Sequence, residues 1–105
     1  MKTQNLVYNS QYLDEVLTDI QEAKNWYKEQ KEGLEVDFAF AIEKAIEKVL
    51  KMPTAYTPRY KKVRIAHPKT FPYNIHFYID EECKTIVFTA IVHNKRHPKF
   101  AMNRI

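Results

Sequence analysis

The chain has 105 residues, of which 45% are hydrophobic and 13% aromatic. That length fits one domain, 1–105, with a single core, and that composition excludes an intrinsically disordered chain. A total of 17 Lys and Arg residues against 13 Asp and Glu gives a net charge of +4, which favours an anionic partner such as nucleic acid or an acidic polypeptide.

The N-terminal part predicts a short strand followed by a helix. Residues 6–8 form a β-prone run that ends at Asn9, and Ser10 is a plausible helix cap. Residues 12–31 place apolar side chains at steps of three and four, which predicts an amphipathic helix. Its stripe comprises Leu13, Val16, Leu17, Ile20, Ala23 and Tyr27, with Trp26 packed at the edge.

A second helix is predicted almost at once. Gly33, the only glycine, suits a left-handed residue after the first helix. Residues 34–51 again form an apolar stripe, and Pro53 ends it. A connection this short predicts an antiparallel helical hairpin. The stripe comprises Leu34, Phe38, Ala41, Ile42, Ala45 and Val49, widened by Ile46 and Leu50.

The hydrophobic period changes to 2 after the proline-containing loop at residues 52–58. This change predicts three strands, at residues 59–66, 73–79 and 84–93, and the last is apolar on both faces, as in an interior strand. The expected register of the last two strands pairs Ile79 with Ile86, Tyr78 with Val87, Phe77 with Phe88, His76 with Thr89 and Ile75 with Ala90.

The predicted order is strand, helix, helix and three strands, followed by a basic tail at residues 94–99. It indicates an α+β fold, in which an N-terminal helical hairpin covers one face of an antiparallel sheet. The single cysteine excludes an intrachain disulfide, and no Cys/His spacing predicts a metal site, so we expect no metal and no cofactor. No signal peptide and no apolar run of about 18 residues is present, so we expect a cytoplasmic protein with no membrane partner.

Several stretches of the sequence resemble the RelE/ParE superfamily of bacterial toxins. They are DIQEA at 19–23 leading to WY at 26–27, FPYNI at 71–75, ID at 79–80, and AIVH at 90–93 running into RHP at 96–98. They cover nearly the whole chain, in the family's order and at its spacings. Most are core or turn residues, so the resemblance depends on the set together with the predicted order of elements.

The resemblance implies the toxin of a type II toxin–antitoxin pair, neutralised by a cognate antitoxin in a hetero-oligomer. RelE-like members cut mRNA in the ribosome, whereas ParE-like members inhibit DNA gyrase and are not hydrolases. The fold does not decide between these actions, so the site residues must. Antitoxins of this group typically wrap an acidic segment over the toxin. The expected landing surfaces here are the basic sheet face and the groove beside the helices.

The cluster Lys61, Lys62 and Arg64 is the first candidate for chemistry. If Val63 and Ile65 face the helices, Lys62 and Arg64 project together from the opposite face, about 7 Å apart. Paired cations there could stabilise the phosphate during RNA cleavage by a 2′-hydroxyl, and RelE-like ribonucleases carry basic residues on this strand. The alternative is an ordinary solvated strand face.

Two residues depart from the RelE-like nucleases. Asn74 follows Tyr73 where those enzymes commonly have an arginine, and Phe100 stands where a catalytic tyrosine is expected. Both departures favour ParE-like inhibition of a protein target such as gyrase. The alternative is a RelE-like ribosome-dependent mRNA endoribonuclease, and only in that case is the protein an enzyme, with catalytic residues Lys62, Arg64, His93 and Arg96.

The histidines and the tail supply the remaining candidates. His93 ends the central strand beside the tail and could act as a general acid or base, whereas a lone sheet histidine such as His76 is more often a hydrogen-bonded residue. A third possibility is a non-toxic nucleic-acid-binding module, which the charge permits but no recognition motif supports. We expect the target or the antitoxin to contact Lys61, Lys62, Arg64, His76, Tyr78, Arg96, His97 and Lys99.

Overall fold

A five-stranded sheet and a helical hairpin make up the computed structural model, which describes residues 8–97 and 99–105. In chain order the elements are β1 (Asn9–Tyr12), α1 (Asp14–Gln30), α2 (Leu34–Lys51), a 3-10 turn (Pro53–Ala55), β2 (Pro58–Tyr60), β3 (Val63–Ala66), β4 (Tyr73–Asp80), β5 (Thr85–His93) and α3 (Lys99–Met102). The strand order is β1-β5-β4-β3-β2; β1 runs parallel to β5 and the other pairs are antiparallel. The predicted α+β class is confirmed.

The first strand lies later in the chain than predicted. Leu6 and Val7 of the predicted strand lie outside the described residues, and β1 pairs in parallel with the first half of β5. Because this pairing keeps the backbone extended through residue 12, Ser10 belongs to the strand. The prediction that Ser10 caps the first helix is therefore wrong; Leu13 precedes α1, and no side chain caps the helix.

Both predicted helices form, and α2 has the predicted bounds. On α1 the prediction of the buried stripe is wrong at one position, because Leu17 is 59% exposed, whereas Asp19 is 8% exposed. The inner face of α1 runs through positions 16, 19, 23 and 27, at steps of three and four, so Asp19 occupies a place expected for an apolar residue. Trp26 contacts Tyr27 edge-on at 5.1 Å between ring centroids but is itself 55% exposed.

The main core lies between the helical hairpin and one face of the sheet. Its largest fully buried side chains are Phe38 on α2, Phe77 on β4 and Phe88 on β5. Burying a side chain of this kind stabilises the fold by about 1.5–3 kcal/mol. At one end of the core, Tyr27, Phe38, Phe71 and Tyr73 form an aromatic cluster with centroid separations of 5.0–6.2 Å.

The predicted strand at residues 59–66 is two strands joined by a turn at Lys61 and Lys62. Lys61 has a φ of 49°, a left-handed conformation that ends β2, and β3 starts again at Val63. Arg64 pairs with Phe77, a core residue, and cross-strand partners project to the same face. Arg64 therefore points towards the helices, and the predicted orientation of this strand is wrong.

The pairing of β4 with β5 follows the prediction as far as Phe77 and then shifts by one residue. Ile79–Ile86, Tyr78–Val87 and Phe77–Phe88 are confirmed, but His76 pairs with Ala90 and Ile75 with Ile91. Thr89 is therefore the additional residue of a β-bulge, and the predicted pairs His76–Thr89 and Ile75–Ala90 are wrong.

The chain after β5 folds back over the far face of the sheet, opposite the helical hairpin. Ala101 of α3 is 1% exposed and packs with Phe100 against Ala90 and Val92 of β5. The predicted tail therefore leads into a packed segment, although Pro98 of that tail lies outside the described residues. In the part of the chain that the structure describes, no helix is long and apolar enough to cross a membrane.

Gly33 is expected to be hard to replace, since its φ is 97° at the junction of the two helices. A Cβ there would meet no atom within 4 Å, so the cost of Gly33→Ala is conformational rather than steric crowding. We expect Gly33→Ala to lower the free energy of unfolding by about 1–2 kcal/mol, measured by urea denaturation. Gly33→Asn, which tolerates this conformation better, should lose less; an equal loss would contradict the explanation.

Candidate functional site

A cleft of about 280 Å³ opens where β5 continues beyond the end of β1. Helix α1 forms one wall, and the ends of β4 and β5 with the following turn form the other. We call it the tail cleft; its polar and aromatic lining comprises Glu22, Trp26, Tyr73, His93, Arg96 and Phe100. The two catalytic candidates at the end of β5, His93 and Arg96, thus lie in one site.

A buried ion pair closes the cleft at its inner end. The Arg104 guanidinium donates to both carboxylate oxygens of Asp19, at 2.7 and 3.1 Å, and to the Thr89 carbonyl at 2.9 Å. The Asp19 carboxylate also accepts the Ile91 N–H at 2.9 Å. Both backbone groups lie on the part of β5 that extends past β1. The pair therefore hydrogen-bonds to a strand edge that would otherwise be buried unpaired. Its bonds with Asp19 raise the pKa of Arg104.

His93 is fixed by two contacts at the mouth of the cleft. Its ring meets Tyr73 edge-on, with 5.2 Å between centroids, and its Nδ1 accepts the backbone N–H of Lys95 at 3.0 Å. An accepting Nδ1 places the proton of a neutral ring on Nε2, so Nε2 is the donor available to a bound group. Burial and the neighbouring Tyr27 raise the pKa of Tyr73, so its hydroxyl stays protonated at neutral pH.

Arg96 supplies the positive charge of the cleft. Its guanidinium lies 4.1 Å from the Phe100 ring centroid, and the Arg104 guanidinium lies 4.8 Å from the same ring. Phe100, at the position where a catalytic tyrosine was expected, thus holds two cations in place through its ring. Within the described ranges Arg96 forms no ion pair, so its charge remains available to an anionic group.

The predicted cation pair of Lys62 and Arg64 does not form. Lys62 lies in the turn, with its Nζ 4.2 Å from the Tyr78 ring centroid. Arg64 is half-buried on the helix side of the sheet and donates to the Tyr56 carbonyl at 2.6 Å. The prediction that the two side chains project together is wrong, because Arg64 pairs with Phe77 and faces the helices, whereas Lys62 lies over the Tyr78 ring.

His76 has a structural position on the far face of the sheet. It is 5% exposed and shares a hydrogen bond of 2.8 Å with the Tyr60 hydroxyl. Burial, and after it the nearby Arg104 charge, lowers the pKa of His76 to about 4, so the ring is neutral at pH 7. The burial, the Tyr60 hydrogen bond and the neutral ring support the interpretation of His76 as a hydrogen-bonded sheet residue.

The lowered pKa of His76 predicts that the folded protein is less stable at acidic pH. Between pH 6.5 and about 4 the unfolded chain binds a proton at His76 that the folded chain does not, so stability falls as the pH falls through this range. The full shift sets an upper bound of about 3 kcal/mol on the loss of stability. Urea denaturation of the wild type and His76→Gln from pH 7 to pH 4 measures it. Parallel pH profiles for the two proteins would contradict the assignment.

The remaining candidates lie outside the tail cleft. Lys61 donates to the Ile105 carbonyl at 2.8 Å, which ties the β2–β3 turn to the C-terminal segment. His97 and Lys99 are exposed at the start of α3, where His97 Nδ1 accepts the Lys99 N–H at 3.1 Å. Tyr78 is half-buried beneath Lys62. Across residues 8–97 and 99–105 no group of three or more His, Cys, Asp or Glu residues could hold a metal ion.

The sequence did not identify the Asp19–Arg104 pair or the polar role of Glu22 and Tyr73 in the cleft. The position of Asp19 in the sequence could have indicated a buried ion pair, because an acid on the buried face of an amphipathic helix requires a partner. Its partner, 85 residues away, had no comparable signal.

Comparison with known proteins identifies the fold. No protein-family model matches the sequence, and neither does any curated protein. Among solved structures, the chromosomal ParDE TA system from P. aeruginosa contains a chain that matches with a TM-score of 0.73 and 12% identity, over 86% of this chain and 98% of that one. The toxin–antitoxin complex RelBE2 from Mycobacterium tuberculosis contains another, with a TM-score of 0.62 and 16% identity, over 88% and 97%. The chain therefore shares its fold with chains of these two toxin–antitoxin structures, in agreement with the fold that the sequence resemblance implied.

Proposed function

We propose that the chain is the toxin of a type II toxin–antitoxin pair, neutralised by a cognate antitoxin, and that it inhibits a protein target such as DNA gyrase. The observation that carries the proposal is the nearly full-length fold match to chains of two toxin–antitoxin systems. The tail cleft, with one available arginine at its mouth, gives that fold a site to contact an anionic surface of the target.

The positions of the strand cations support binding inhibition over RNA cleavage. Stabilising a pentavalent phosphate requires donors aimed at one point. Lys62 and Arg64 instead point away from each other, towards Tyr78 and the Tyr56 carbonyl. Asn74 adds no charge to the start of β4. The described part of the sheet thus lacks the convergent cations of the nuclease hypothesis.

The nuclease alternative has one observation in its favour. His93, Tyr73 and Arg96 meet in the tail cleft and could act as proton donor, hydrogen-bond donor and phosphate ligand. In that case catalysis would use the cleft and not Lys62 and Arg64. The two actions differ in whether transcripts are cut.

The test is induction of the gene with growth followed in the same culture, combined with primer extension on transcripts and a gyrase supercoiling assay on the purified protein. We expect growth arrest with intact transcripts, inhibited supercoiling, and unchanged arrest in the Lys62→Ala/Arg64→Ala variant. Cuts within translated codons would establish the nuclease alternative. Full growth on induction of folded protein would overturn the toxin proposal.

The proposed binding of a cognate antitoxin is tested separately, by co-expression and copurification. Co-expression of the neighbouring reading frame should restore growth, and its acidic product should copurify with the chain. A neighbouring product with no affinity for the chain would count against a cognate pair.

A further inference from the structure

A second groove, of about 670 Å³, runs along α2 and shares no lining residue with the tail cleft. One wall is α2 and the other is the loop between β3 and β4, and we call it the α2 groove. Leu34, Ala41 and Phe71 contribute apolar surface to it, and Phe40 beside them is 58% exposed. Exposed apolar side chains within a polar rim are typical of a protein–protein contact.

The side chains that α2 directs into the groove have the spacing of a helix that pairs with another helix. They recur at alternating steps of three and four, so they stay on one face along the whole helix. In chain order they are Leu34, Asp37, Ala41, Lys44, Lys48 and Lys51. Because α2 has 18 residues, this face is about 26 Å long at 1.5 Å per residue. A long, open face of this kind suits a second helix, whereas small-molecule sites enclose most of their ligand.

The two ends of this helix carry opposite charges. Asp37 belongs to the acidic first turn of α2, and Lys48 and Lys51 belong to its basic last turn. Near the middle of the helix, Lys44 is already paired with Glu47 at 3.6 Å. Among residues 8–97 and 99–105, Asp37, Lys48 and Lys51 form no ion pair. The charges at both ends of α2 are therefore available to another molecule.

A second copy of the same helix has the complementary charges when it runs antiparallel. A two-fold axis between residues 42 and 43 places Asp37 of each copy opposite Lys48 of the other, so two intermolecular ion pairs form. A parallel arrangement would instead place Asp37 against Asp37 and Lys48 against Lys48. An antiparallel shift of seven residues would either bring Lys44 against Lys48 or leave Lys48 beyond the end of the other α2. Charge therefore selects one orientation and one register.

The same arrangement covers the exposed apolar side chains of α2. Leu34 lies opposite Lys51 of the second copy, whose aliphatic stem can pack over it. Ala41 lies close to the axis, where its small side chain allows the two helices to approach, and the exposed Phe40 ring is covered beside it. Since one helix from each copy supplies most of the contact, the interface is small. We therefore expect a reversible dimer and not a permanent one.

We propose that the chain forms a two-fold symmetric homodimer in which α2 of each copy lies antiparallel in the α2 groove of the other. Each α2 is then both a wall of its own groove and the occupant of the second one, as an isologous interface requires. Asp37 and Glu47 in the lining favour this occupant over a nucleic acid, which carries only negative charge. The inference concerns the chain alone and does not depend on the proposed function.

The direct test is an exchange of charges, followed by sedimentation equilibrium of the purified full chain over a range of concentrations. The wild type should pass from monomer to dimer as the concentration rises. Asp37→Lys and Lys48→Asp should each weaken the dimer by at least about tenfold, because each places two pairs of like charges in the interface. The double variant Asp37→Lys/Lys48→Asp restores opposite charges across the axis and should recover the dimer. Recovery of this kind is specific to the antiparallel register.

Matched controls come from α1, which is outside the groove. Asp14→Lys and Lys28→Asp make the same changes at an exposed acid of the first turn and an exposed lysine of the last turn, and should leave the dimer unchanged. Phe40→Ser should weaken the dimer, whereas Leu17→Ser, an equally exposed position on α1, should not. Circular dichroism confirms that each variant is folded.

Three results would overturn the proposal: a monomer at every concentration, a double variant no better than the single ones, or equal weakening by the α1 controls. If a charge reversal unfolds the chain, Asp37→Asn and Lys48→Gln take its place, and a dimer unchanged by both would also overturn it. Binding of a fluorescein-labelled single-stranded RNA by a monomeric chain, lost in Lys48→Gln, would assign the groove to nucleic acid instead.

The outcome is independent of the proposed function. If the chain arrests growth but stays monomeric at every concentration, the toxin proposal stands and the dimer fails. If the charge exchange restores the dimer but induction never slows growth, the dimer stands and the toxin proposal fails.

Discussion

Replacing Asp19 by alanine is expected to lower the free energy of unfolding by about 3–5 kcal/mol, because it leaves the Arg104 guanidinium buried without its charge partner. The side chains of the pair are 6% and 12% exposed, so solvent cannot replace the lost bonds. The Ile91 N–H also loses its acceptor. For a domain with a total stability of about 5–15 kcal/mol, this loss is a large fraction. Urea denaturation at pH 7 measures it.

Two variants control this prediction. Glu22→Ala, on the same helix and exposed, should change stability by less than about 0.5 kcal/mol. Asp19→Leu/Arg104→Met removes both charges together and should cost less than the sum of the two single substitutions. If Asp19→Ala costs less than about 1 kcal/mol, or if the single losses add, the pair does not secure the edge of β5 as described.

The parts of the fold that could be predicted from the sequence are those set by neighbouring residues. Helix α2 forms at the predicted bounds because Gly33, Pro53 and the apolar period between them are local signals. The β4–β5 pairing next to the turn, from Phe77–Phe88 to Ile79–Ile86, was predictable for a similar reason. A short turn and alternating residues determine the register there.

The rest of the fold depends on contacts between distant parts of the chain. Residues 9–12 are extended because β5 pairs with them, and nothing in their own composition indicates a strand. The bulge at Thr89 lies where Asp19 and Arg104 bind the backbone of β5. The left-handed turn at Lys61 uses a residue type with no preference for that conformation, so alternation alone predicted one continuous strand.

The same difference between local signals and distant contacts applies to the candidate site. His93 and Arg96 are three positions apart in the chain, at and after the end of a strand whose last residue was predicted correctly, and they meet in one cleft. Lys62 and Arg64 are closer still, yet they separate, because a shift of one residue moves every strand side chain to the other face of the sheet. Proximity in sequence therefore predicted a shared site only where the strand boundaries were also predictable.

Arg96→Glu is expected to abolish growth arrest by the induced chain. Arg96 is the available charge at the mouth of the tail cleft, and reversing it places like charges against an anionic target surface. We expect the affinity for the target to fall by about 2–5 kcal/mol, a factor of at least about 30. The measurement is growth after induction, with the purified variant tested in the supercoiling assay.

The informative comparison is with Lys95→Glu, which makes the same change of charge one position earlier in the turn, outside the lining of the cleft. If the cleft makes the contact, Lys95→Glu retains arrest and only Arg96→Glu loses it. If both lose it equally, the general positive charge of the chain is responsible, because exposed charges on one turn contribute alike to long-range attraction. If neither does, the target binds elsewhere, since a reversed charge within a contact surface would weaken binding. Each result thus identifies which part of the molecule recognises the target.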